Sequence, residues 1–107
     1  MMNKYILILN DLKNQLRNYF GDDLINIYLF GSQAKNTGTQ DSDYDILILF
    51  KSKNGWRTKG KVIDICYDID IKHDILIDPH VLSEDELTTL RGKQSIFTNA
   101  ILNGISV

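Results

Sequence analysis

Two runs of apolar residues, Leu24 to Phe30 and Tyr44 to Phe50, constrain this chain more than any other feature. Both are almost continuously apolar and rich in β-branched and aromatic side chains, so each reads as a strand covered on both faces. The first runs directly into Gly31-Ser32. The second is interrupted only by Asp45, and a lone carboxylate inside a buried strand demands an explanation.

The flanking segments supply the cover. Tyr5, Ile6, Leu9, Leu12, Leu16, Tyr19 and Phe20 recur three or four apart, with Asn10, Lys13, Asn14 and Arg17 between them, which predicts an amphipathic helix over residues 4 to 20 stopped by Gly21. Residues 51 to 61 form a basic loop around Asn54-Gly55-Trp56 that leads into a helix with a stripe of Val62, Ile63, Cys66, Tyr67 and Ile69. Asp74 to Ile77 is expected to be a third strand, stopped by Pro79. Ser83-Glu84-Asp85-Glu86 matches a capping box for a short helix. Ile96, Phe97, Ala100 and Ile101 mark a last helix ending before Gly104, with Ile105 to Val107 free to form an edge strand. Strands alternating with helices predict an α/β (α+β) domain, residues 1–107 as one unit, with a small mixed sheet flanked by helices.

Composition narrows the partners. A net charge of -2 supplies no overall attraction for nucleic acid or an anionic membrane, so phosphate must be bound locally through a metal, backbone amides or a small basic segment. The single Cys66 makes no intramolecular disulfide, no leader pattern opens the chain, and no apolar run reaches the roughly 20 residues of a membrane helix. A reducing cytoplasm is the expected compartment.

The chemistry concentrates between residues 29 and 49. Gly31 at a strand end lets a ligand approach the backbone, and Ser32 starts a short helix whose free amides and hydroxyl suit phosphate oxygens. Asp43 and Asp45, two apart at a strand start, aim their carboxylates at one face. Such a pair repels unless cations sit between, and Mg²⁺ takes a few carboxylates with substrate phosphates completing its shell. Two ions there would polarise an α-phosphate, activate a hydroxyl and stabilise departing pyrophosphate. A Gly-Ser turn or an Asp-x-Asp alone is common in solvated turns. Both together, at this spacing and on these strands, are far more specific.

Gly31-Ser32, ten residues, then Asp43-Tyr44-Asp45 and an apolar run resembles the signature of the DNA polymerase beta superfamily of nucleotidyltransferases. The form GSQAKN…DSDYDILIL is similar to its minimal nucleotidyltransferase branch, with Asn36 where members usually have glycine. The resemblance implies that Gly31 and Ser32 bind the triphosphate of ATP or another nucleotide while Asp43 and Asp45 coordinate two Mg²⁺. It also implies a third carboxylate from a neighbouring strand, often the base that takes the acceptor proton. Asp74, opening the expected third strand, is the first choice as catalytic and metal-binding residue, and Asp78 beside Pro79 the reserve. The chain's shortness resembles minimal nucleotidyltransferases paired with a helical HEPN toxin, where an antitoxin transfers AMP to a toxin side chain. Two other readings stand beside it, an aminoglycoside-type nucleotidyltransferase and an inactive antitoxin that neutralises by contact. The residues leave base preference, acceptor and oligomeric state open.

Other residues carry weaker signals. His73 and His80 match no zinc spacing with Cys66, which reads as core-facing, and His73 reads as an exposed loop residue. Trp56 and Tyr67 can stack on a base but are expected to pack or anchor a loop. The cations from Lys51 to Lys61 suit a solvated loop, an acidic partner or RNA phosphates, and Lys35 can face phosphate.

Overall fold

The structure is a computed structural model and describes residues 4–34, 43–53, 55–89 and 94–107, with Ser32 described by its backbone. Its elements run α1 (Lys4–Phe20), β1 (Leu24–Phe30), α2 (Gly31–Ala34), β2 (Tyr44–Phe50), α3 (Trp56–His73), β3 (Ile77–Ser83) and α4 (Ser95–Asn103), with 3₁₀ turns at Gly21–Asp23 and Asp85–Thr88. The sheet order is β1-β2-β3, with β1 and β2 antiparallel and β2 and β3 parallel. The mixed sheet flanked by helices is the one expected. Among the described residues no helix is long and apolar enough to cross a membrane.

The central strand sorts its side chains by alternation. Ile46, Ile48 and Phe50 point into a core with Ile8, Leu9, Leu12 and Leu16 of α1 and Val62, Ile65, Cys66 and Ile69 of α3. Leu47 and Leu49 point the other way, against Phe97 and Ala100 of α4. Both apolar runs are thus covered on two faces, which is why neither alternates in sequence. Burial pushes the Cys66 thiol up to about 12, so it stays a neutral core group. After α4, Ile105 makes a single antiparallel bridge to Leu29, closed by hydrogen bonds of 2.8 and 2.9 Å.

Three expectations are corrected. The third strand is Ile77–Ser83, so it begins where the sequence predicted its end, and Pro79 lies inside it. Asp74 is consumed in ending α3, in the left-handed region at φ 53°, with its amide donating to the Asp70 carbonyl. Asp70 then fixes the turn, its carbonyl accepting from Ile75 N and its Oδ1 from Ile77 N at 2.8 Å. Pro79 is tolerated because β3 pairs only with β2 among the described strands, and an edge strand can spare an amide.

Ile63 and Tyr67 are 58% and 62% exposed, on the outer side of α3 and not in its core stripe. Tyr19 is likewise 60% exposed. Finally, His73 is not a loop residue: it ends α3, partly buried, with Nε2 2.9 Å from Asp11 Oδ2. The capping-box expectation holds in part. Ser83 donates from both N and Oγ to Glu86 Oε1, at 3.1 Å each, and the turn it starts is 3₁₀.

Candidate active site

The site lies at the end of the sheet where β1 stops and β2 and β3 begin. Gly31 leaves β1 with φ +76°, a conformation that L side chains rarely adopt. A Cβ there would stand 2.5 Å from Asp45 Oδ2, so the carboxylate occupies the space that the missing side chain leaves free. Glycine is required twice at this position, for the turn and for the close approach.

Asp45 pairs across the parallel ladder with Asp78, and Leu47 with His80. In-register neighbours project to the same face, so Asp45, Asp78 and His80 converge. One ligand atom from each lies within 4.8 Å of the others. His80 Nε2 stands 3.5 Å from both Asp45 Oδ1 and Asp78 Oδ2, within ion-pair reach, yet it is buried without a hydrogen-bond partner among the described residues. The imidazole is wedged between Phe30 and Phe97, ring centroids 5.2 and 6.0 Å away. Burial pushes the Asp45 carboxyl above its ordinary range, the His80 imidazole pulls it back, and the Asp78 charge adds to the upward push. Two facing carboxylates and an unsatisfied nitrogen form a donor set that a divalent cation would satisfy.

A cleft of about 450 Å³ opens beside this group, between the β1–α2 turn and α4. Phe30, Gly31 and Asp45 line one side, and Ile96, Asn99 and Asn103 the other. It offers an apolar wall, side-chain amides and one carboxylate in a single opening, as a small-molecule site does.

The residues singled out from the sequence are only partly brought together. Gly31 and Asp45 touch. Asp43 is exposed, one residue ahead of β2, and its charge adds to the upward push that burial exerts on the Asp70 carboxyl. Asp74 lies at the end of α3, and the carboxylate that the sheet sets beside Asp45 is Asp78. The Ser32 side chain lies outside the described residues, as do Lys35, Asn36 and Gly38. His80, weighed from the sequence only for a zinc site with Cys66, joins this group, and Asp78-x-His80 has the same period-2 spacing that drew attention to Asp43 and Asp45.

Residues 10–107 match the polymerase beta nucleotidyltransferase family, and the chain belongs to it. It is a nucleotidyltransferase. Over 74 residues it is 36% identical to a provisionally named protein adenylyltransferase of Methanocaldococcus jannaschii, a match spanning 69% of this chain and 75% of that protein. Its fold is similar to that of a chain in a toxin-antitoxin crystal structure with AMP-PNP, with a TM-score of 0.64 at 21% identity over 98% of this chain and 72% of that one. It is also similar to the spectinomycin adenyltransferase AAD(9) from Enterococcus faecialis, solved with ATP and spectinomycin. That match has a TM-score of 0.58 at 24% identity, over 78% of this chain and 36% of that one.

Proposed function

We propose that this chain transfers AMP from ATP to a hydroxyl side chain of a HEPN-type toxin and acts as its antitoxin. The observation that carries the reading is the convergence of Asp45 and Asp78 against the Gly31 turn, at the mouth of a cleft large enough for part of a nucleotide. The adenylyltransferase and toxin-antitoxin descriptions of similar proteins support AMP as the group moved and a toxin as its destination.

Asp45 and Asp78 would hold Mg²⁺, with Asp43 joining from the chain entering β2 and His80 packed against the pair. Asp78 takes the role first expected of Asp74. Mg²⁺ bound there would supply charge neutralisation on the phosphates and on the pyrophosphate leaving group. Gly31 leaves the backbone open to the triphosphate, and the amides of the Gly31-Ser32 turn suit its oxygens. The acceptor oxygen bonds to the α-phosphorus as the bond to the β-phosphate oxygen breaks. The acceptor proton goes to Asp78, whose side chain is 52% exposed and open to an incoming partner.

The test incubates purified chain with α-labelled ATP, Mg²⁺ and the toxin encoded beside it. Label should pass to the toxin and not with Asp45→Asn. Absence of labelling with any nucleotide contradicts the reading. Binding of toxin without transfer would favour neutralisation by contact, and labelling of an aminoglycoside instead would favour a small-molecule acceptor.

A further inference from the structure

The outer face of α3 carries a pattern that neither the core nor the active site uses. Val62, Ile65, Cys66 and Ile69 bury the inner face. Opposite them, Trp56, Ile63, Tyr67 and Ile71 are 79, 58, 62 and 65% exposed. With Gly60, positions 56, 60, 63, 67 and 71 follow helical spacing and make one stripe, about 22 Å long at 1.5 Å per residue. Gly60 is the anomaly. Among the described residues nothing lies within 4 Å of the place a Cβ would take, so no contact there asks for glycine. Glycine inside a helix costs roughly 1 kcal/mol relative to alanine, a cost that makes sense where another surface approaches closely. A shallow depression of about 370 Å³ opens above it, bordered by Tyr19, Trp56, Arg57, Lys61 and Asp64.

The charges along one edge of the stripe identify that surface. In chain order they are Arg57, Lys61, Asp64 and Asp68, two basic and then two acidic about Ile63. Arg57 stacks over the Trp56 ring at 5.3 Å and Lys61 over the Tyr19 ring at 4.5 Å, so both cations already lie along apolar surface. Turning the helix end for end about Ile63 brings Arg57 within one residue step of Asp68 and Lys61 within one of Asp64. The same register brings Trp56 within one step of Ile71 and Tyr67 within one of Gly60, and sets Ile63 against its own copy. Small meets large and each charge meets its opposite in one alignment.

We propose that α3 is the docking helix of a symmetric homodimer, in which a second copy packs antiparallel along this stripe and each Tyr67 fills the depression over the other copy's Gly60. A two-fold interface must be complementary to itself. Charges that reverse sign about the midpoint of the stripe meet that demand, and a surface built for an unrelated protein has no need of it. Asp45, Asp78 and His80 lie on the sheet face toward α4, opposite the face that α3 covers.

Sedimentation velocity of the full chain from about 5 to 500 µM tests this, the range suiting a small interface. The expected result is a monomer–dimer equilibrium inside the range, weakened by added salt. Tyr67→Glu should hold the chain monomeric with unchanged circular dichroism, since Tyr67 is exposed. Arg57→Asp and Asp68→Arg should each raise the dissociation constant about tenfold or more, and the double variant should restore most of the association. A wild-type chain that stays monomeric throughout overturns the proposal, as does a double variant no better than either single one. Loss of toxin binding by Tyr67→Glu from a monomeric wild type would overturn it too, assigning the stripe to the toxin.

Discussion

The two faces of the sheet are made from the same strands and serve opposite ends. Toward α1 and α3, β2 sends Ile46, Ile48 and Phe50 into a closed apolar core. Toward α4 it sends Leu47 and Leu49, and then Asp45, into a smaller cluster that opens as a cleft. One face buries apolar area and gains stability. The other gathers Asp45, Asp78 and His80, where the burial of Asp45 and its repulsion by Asp78 cost stability that His80 only partly offsets, and places them where a ligand can enter. The larger core holds the strand ends rigid enough for a carboxylate cluster to persist.

Substitutions should separate the two faces. The largest effect is expected on the α4 side: Asp45→Asn should lower AMP transfer at least about 10³-fold, measured by label incorporation. In metal-free buffer the same change should raise the midpoint of thermal unfolding by a few degrees, roughly as removal of a small unfavourable charge would. Loss of activity together with a lower midpoint would show that Asp45 stabilises the fold as the apolar face does. On the other face, Ile48→Ala should cost about 2–5 kcal/mol in urea unfolding. Activity per folded molecule should stay close to wild type.

Gly31→Ala is expected to fall between them. The strained φ and the 2.5 Å approach to Asp45 Oδ2 should cost about 1–2 kcal/mol. Its transfer rate should drop more than its stability, because the displaced group is the Asp45 carboxylate. The smallest effect belongs to the surface tie between the two core helices. Lys72, and then His73, hold the Asp11 carboxyl below its usual range. That contribution is present at pH above the unfolded carboxylate range and is lost as pH falls through the folded value. Asp11→Ala should therefore lower stability by less than about 1 kcal/mol at neutral pH. The difference from wild type should vanish in strong acid.

The parts legible from sequence are those fixed by local pattern. The apolar runs set β1 and β2 at their observed bounds, and the α1 periodicity set Lys4–Phe20. Gly31 and Asp45 stood out because a glycine at a strand end and a carboxylate in a buried strand are both costly, and the structure sets the two in contact. β3 was misplaced because Pro79 stops a strand only where its amide is needed, and edge position is a property of the whole sheet. That single shift leaves Asp74 at the end of α3 and sets Asp78 beside Asp45. His80 was passed over because its partner Asp45 is supplied by another strand's register. Ile63 and Tyr67 were assigned to the core because α3 carries an apolar stripe on each of two sides, and periodicity alone does not tell which one the sheet covers.

On the proposed function Asp45 and Asp78, paired across β2 and β3, would hold the cation through which ATP binds. Calorimetric titration of ATP with and without Mg²⁺ into wild type, Asp78→Asn and Asp74→Asn tests it most directly. Mg²⁺-dependent binding is expected of wild type and Asp74→Asn, and its loss of Asp78→Asn. Binding retained by Asp78→Asn and lost in Asp74→Asn would contradict it.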